Sequence, residues 1–83
     1  MAALRVLLFG RLRDVAGWRE RTFDPAPATL GALRALITAE DPALGAALVG
    51  PGIQAAVNKV LMRGDIGLAP GAEVAFLPPM SGG

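Results

Sequence analysis

Gly82-Gly83, the last two residues of the chain, are where its residue types leave room for chemistry. Among 83 residues there is no Cys and no His. That removes disulfides, persulfides carried on a thiol, zinc sites built from thiolate or imidazole, and every nucleophile and base arrangement that relies on His. The seven carboxylates, Asp14, Glu20, Asp24, Glu40, Asp41, Asp65 and Glu73, are spread along the chain. Only Glu40 and Asp41 are adjacent, at a helix boundary where capping accounts for them, so no acid/base pair stands out. Arg63-Gly64-Asp65 spells an adhesion tripeptide but is expected to be a loop. Gly50-Pro51-Gly52 precedes a strand rather than opening a helix, so it is no phosphate loop. What remains is the α-carboxyl group of Gly83. With a reference pKa of about 3.3–3.7 it is an anion near neutrality and a poor electrophile, inert until another enzyme converts it into an acyl adenylate or a similar activated form. Glycines lack a Cβ, so such an end can thread extended through a narrow channel. With 11 glycines in the chain, a Gly-Gly end is by itself a modest signal, and the alternative is a free terminus that happens to end in Gly.

An end that must reach a distant site needs a scaffold behind it, and the hydrophobic pattern describes one. Leu4-Arg5-Val6-Leu7-Leu8-Phe9, ended by Gly10, has the apolar density of an interior strand. Arg11 to Ala16 fits a helical turn, and Trp18 to Phe23 mixes aromatics with charges as an edge strand does, paired antiparallel with the first. Thr29 stands as the N-cap of a helix whose apolar stripe is Leu30, Leu33, Leu36 and Ile37. Asp41-Pro42 repeats the start signal for a short helix over Ala43 to Leu48. Ile53 to Val57 and Val60 to Met62 read as two short paired strands joined by Asn58-Lys59, where Asn tolerates positive φ. Pro70-Gly71 suits a type II turn, and Glu73 to Leu77 is a last strand halted by Pro78-Pro79.

This order implies an α+β fold, a mixed sheet with the main helix on one face, in one domain over residues 1–79 with an extended tail at 80–83. Alternation puts Val6, Leu8, Val74 and Phe76 on the helix side and Arg5, Leu7, Phe9, Ala75 and Leu77 on the open side. Val60 and Met62 then point inward and Leu61 outward, so Phe9, Leu61 and Leu77 form an exposed apolar patch, the usual mark of a partner surface.

A formal charge of +1 gives no broad field for holding nucleic acid or an anionic membrane, so neither is expected as a partner. The longest stretch without a charge, Pro42 to Asn58, is broken by Gly45, Gly50, Pro51 and Gly52 and falls short of the roughly 20 apolar residues of a spanning helix. Arg5 interrupts the first apolar run and no cleavage site follows, so secretion is not indicated and a cytoplasmic location is expected.

The run Gly71-Ala72-Glu73-Val74-Ala75-Phe76-Leu77-Pro78-Pro79-Met80-Ser81-Gly82-Gly83 resembles the small, sulfur-carrying subunit of molybdopterin synthase. So do Ala55-Ala56-Val57-Asn58 and the opening Val6-Leu7-Leu8-Phe9-Gly10-Arg11-Leu12-Arg13-Asp14. The most specific element is an aromatic, an apolar residue, Pro-Pro, two residues and Gly-Gly at the chain's end. The resemblance implies the ubiquitin-like β-grasp fold, a mixed five-stranded sheet with one main helix, short helical turns and a flexible Gly-Gly tail, with the first and last strands side by side at the centre. It implies that an ATP-dependent adenylating enzyme activates Gly83, that a sulfur donor converts it to a thiocarboxylate, and that the tail, with Ser81 and Gly82 threading a channel, enters the large synthase subunit to sulfurate cyclic pyranopterin monophosphate. No cofactor is bound permanently; ATP is used by the partner. Phe9, Leu61 and Leu77, with Met80, fall where the family contacts its large subunit. Leu77 departs from a position often aromatic, and Lys59 and Met80 sit where the family varies. Other readings stay open: the shorter sulfur carriers of thiazole synthesis, a ubiquitin-like protein modifier, and a β-grasp interaction domain without tail chemistry.

Overall fold

A computed structural model describes residues 3–79. Along them run β1 (Leu4–Leu8), α1 (Arg11–Ala16), β2 (Glu20–Phe23), α2 (Leu30–Glu40), α3 (Pro42–Leu48), β3 (Gln54–Val57), β4 (Val60–Met62) and β5 (Glu73–Leu77). The helix starts are written locally. Thr29 is extended, with φ −137° and ψ 164°, and its Oγ1 accepts from the Ala32 N–H at 3.0 Å. Asp41 Oδ1 accepts from the Leu44 N–H at 3.2 Å ahead of Pro42. Each cap satisfies a donor that the first turn cannot. Asn58 and Lys59 both have positive φ, 50° and 71°, the mirror-type turn whose twist matches a tight hairpin between β3 and β4.

The sheet order is β2-β1-β5-β3-β4. β1 and β5 are parallel at the centre, with Val6 opposite Val74 and Leu8 opposite Phe76. β2 flanks β1, β3 flanks β5 and β4 flanks β3, all antiparallel. This is the arrangement that the resemblance implied. One face of the sheet is covered: Leu4, Val6, Leu8, Val57, Val74 and Phe76 are buried against Leu30, Leu33 and Ile37 of α2 and Leu44 and Leu48 of α3. Each such side chain, taken fully out of water, contributes about 1.5–3 kcal/mol. Among the described residues no charged or polar one is buried, so the core rests on apolar packing alone. No helix among them is long and apolar enough to cross a membrane.

The structure corrects several expectations. Leu36 is 37% exposed, because the helix turns about 100° per residue and Leu30, Leu33 and Ile37 already define the buried stripe. The first strand ends at Leu8, before Phe9, and the second starts at Glu20, leaving Trp18 half-buried ahead of it. β3 starts at Gln54, after Ile53. Val60 and Met62 lie in register with Val57 and Ala55, hence on the helix side as alternation required. Yet they are 57% and 39% exposed, since no helix extends over the outermost strand.

Candidate functional site

β5 leads from the centre of the sheet to the root of the tail. Just beyond it, Pro78 and Pro79 pass between two loops that approach on either side. An added Cβ at Gly10 would lie 2.8 Å from Pro78 Cγ, and one at Gly52 would lie 2.7 Å from Pro79 Cβ. Both glycines have positive φ, 58° and 81°, a conformation in which a Cβ is already strained. Absence of side chains therefore lets the loops after β1 and before β3 close around the prolines, whose fixed φ stiffens the exit. Leu12, Val15, Ala47, Pro51 and Ile53 line an apolar cleft along the same prolines. Met80, Ser81, Gly82 and Gly83 lie outside the described residues.

Beside this exit is the open face of the sheet. Leu7, Ala75, Ala56 and Leu61 stand in one cross-strand row, because Leu7 pairs with Ala75, Ala75 with Ala56 and Ala56 with Leu61. Leu77 is two residues further along β5, opposite Gln54. Phe9 shares a cleft with Leu7 and Glu20, both on that face. Phe9 is 46% and Leu61 56% exposed, and Leu77 is half-buried. The two alanines make a shallow apolar floor between bulkier rims. Of the residues singled out from the sequence, Phe9, Leu61 and Leu77 are thus on or beside one surface. Leu7 and Ala75, which alternation already puts on this side, join Ala56 to connect them in a row that only the strand register reveals.

The far end of the open face is charged. Arg5 on β1 holds two carboxylates, Glu20 on β2 through Nε at 3.1 Å and Glu73 on β5 through Nη2 at 2.7 Å. The polar end and the apolar end give the face a direction, with β5 running from Glu73 at the polar end to Leu77 and the prolines at the apolar end. Asn58 ties the hairpin to β5: its Oδ1 accepts from the Glu73 N–H at 3.0 Å, and its own N–H donates to the Glu73 carbonyl at 2.8 Å. The Arg63-Gly64-Asp65 segment is a loop serving α2, since the Gly31 N–H donates to Asp65 Oδ1 at 2.6 Å and the Leu30 N–H to the Ile66 carbonyl at 2.9 Å. A carboxylate there also suits the positive end of the helix dipole.

Residues 6–83 match the model of the ThiS family. The chain belongs to the ThiS family. It is 35% identical over 80 residues to the molybdopterin synthase sulfur carrier subunit of Escherichia coli (strain K12), covering 96% of this chain and 99% of that one. The crystal structure of SAMP1 from Haloferax volcanii superposes with a TM-score of 0.83 at 30% identity, covering 98% of this chain and 99% of that chain. Molybdopterin converting factor subunit 1 of Pyrococcus furiosus does so at 0.79 and 25%, covering 96% and 100%. The five-stranded sheet and its helices match these ubiquitin-like β-grasp neighbours.

Proposed function

We propose that this ThiS-family protein carries sulfur on the carboxyl group of Gly83 for molybdopterin synthesis. The observation that carries the reading is the near full-length similarity to the Escherichia coli sulfur carrier subunit, in a fold whose central strand ends at Leu77, directly before Pro78-Pro79. The chemistry follows from what a carboxylate lacks. In an adenylating partner, a Gly83 oxygen attacks the α-phosphorus of ATP and pyrophosphate leaves. A sulfur donor then displaces AMP from the acyl carbon, leaving a thiocarboxylate. The sulfur is polarisable and nucleophilic without any Cys in the chain. Inside a large synthase subunit it is delivered to cyclic pyranopterin monophosphate, and two deliveries complete the dithiolene. Ser81 and Gly82 thread the channel. ATP belongs to the adenylating partner and no cofactor resides on this chain. We place the reaction in the cytoplasm, where ATP is supplied.

The large subunit docks on the apolar open face around Phe9, Leu7, Leu61 and Leu77, with Met80 continuing the contact. This face adjoins the tail exit, so docking and tail insertion are one event, and binding energy gained on the sheet is spent in positioning the reacting carbonyl.

Likeness to a small archaeal modifier protein favours a second reading. The same acyl adenylate attacked by a lysine amine would yield an isopeptide bond to another protein. Intact-mass spectrometry of the protein from native cells separates the two. An oxygen-to-sulfur exchange at Gly83 is the expected result, whereas isopeptide conjugates with no thiocarboxylate would make it a modifier. A plain carboxylate throughout would leave only an interaction domain.

A further inference from the structure

The two edges of the sheet are unlike. β2 is guarded: Arg21 pairs with Glu40 at 2.8 Å and lies over the Phe23 ring at 4.5 Å, while Glu20 pairs with Arg5. β4 is bare, with Val60, Leu61 and Met62 all exposed. In a two-residue hairpin the Val60 N–H turns inward to Val57, so the N–H and C=O of Leu61 point to the free edge. Such an edge is a template for another strand unless something opposes pairing. It borders a cleft lined by Arg34, Gln54, Leu61, Met62 and Arg63. Arg34 Nε is buried there with no hydrogen-bond partner, and its guanidinium sits 5.9 Å from the Phe76 ring. Among the described residues neither Arg34, Lys59 nor Arg63 forms an ion pair. The nearest carboxylate in sequence, Asp65, receives the Gly31 N–H.

We infer that β4 is a docking edge for an extended segment of a partner protein, apolar at successive positions and flanked by carboxylates, which adds to the sheet as a sixth strand. Its backbone bonds to Leu61, its apolar side chains cover Val60 and Met62 on one face and Leu61 on the other, and its carboxylates meet Lys59 at one end and Arg34 and Arg63 at the other. Charge selects the occupant. A second copy of β4 pairing antiparallel about Leu61 would set Lys59 opposite Arg63, like charge against like, whereas an acidic strand finds opposite charge at both ends. The inference does not depend on the sulfur-carrier reading, because it uses nothing beyond residue 76.

The test is a nuclear magnetic resonance titration of the full chain with an acetylated, amidated peptide Glu-Glu-Val-Ile-Val-Glu-Glu and with its counterpart in which Lys replaces every Glu. Saturable shifts of the Leu61 amide with slowed hydrogen exchange are expected for the acidic peptide, and binding about tenfold weaker for the basic one, as charge-assisted contacts are lost. The double variant Arg34→Gln/Arg63→Gln should erase most of that preference at unchanged melting temperature. Arg63→Glu, as a second variant, should shift the preference toward the basic peptide. No saturable response at millimolar peptide, equal binding of both peptides, shifts confined to Leu7 and Phe9, or self-association of the chain through Leu61 would each overturn the inference.

Discussion

Asn58 holds a φ of 50° and also gives β5 a partner for the Glu73 N–H. Asn58→Gly keeps the turn's conformation and loses that bond, so it should cost about 0.5–1.5 kcal/mol, a fall of several degrees in melting temperature. Sulfur transfer from preformed thiocarboxylate should persist, and its loss at a temperature where the variant is still folded would show that Asn58 acts in the chemistry. The turn role was legible because Asn-Lys sits between two apolar runs. The bond to Glu73 was not, because that partner lies 15 residues away. Asp65 was hidden for the same reason, its partner Gly31 being 34 residues off. At Leu77 the expectation is different. This half-buried residue faces away from the helices, so Leu77→Glu should leave the circular dichroism spectrum intact. It should weaken large-subunit binding by more than tenfold in calorimetry, since an unpaired charge would be buried at the contact. Unchanged affinity would place the interface elsewhere.

Elements that announce themselves locally were readable. Thr29 and Asp41-Pro42 mark helix starts with a single side chain each, and both caps are formed. Thr29→Ala should therefore cost about 1 kcal/mol, measured by urea denaturation. Packing between elements was less readable. α2 and α3 touch at Gly45, where an added Cβ would fall 2.8 Å from Thr38 Cα, and nothing in the run Ala43 to Leu48 marks that residue as the contact. Gly45→Ala gains helix propensity yet should destabilise by about 1–3 kcal/mol through overpacking. A more stable Gly45→Ala protein would show that the two helices can part. The parallel pairing of β1 with β5 came from family resemblance, because strands so far apart in sequence carry no local sign of each other. Alternation gave the correct side for Val60 and Met62, but alternation cannot say how far a helix reaches, and α2 stops short of β4. The cradle of Gly10 and Gly52 around Pro78-Pro79 was invisible for want of the same long-range information.

At the scale of the whole molecule, fold and chemistry are separable. The core closes with Phe76, and the proposed reacting atom lies beyond it, on Gly83. No interior side chain can take over, because the chain has no Cys and Ser81 has no His to activate it. Obstructing the tail with a bulky residue at Gly82 should slow delivery while leaving the carboxyl available, and one residue added after Gly83 should be as damaging as its removal. The most direct measurement is intact-mass spectrometry of the Gly83 deletion and of the full chain after incubation with ATP, the adenylating enzyme and a sulfur source, followed by an assay of pterin sulfuration. Oxygen-to-sulfur exchange and pterin sulfuration are expected for the full chain and neither for the deletion, at nearly equal melting temperatures. Full thiocarboxylate formation and normal sulfuration by the deletion variant would contradict it.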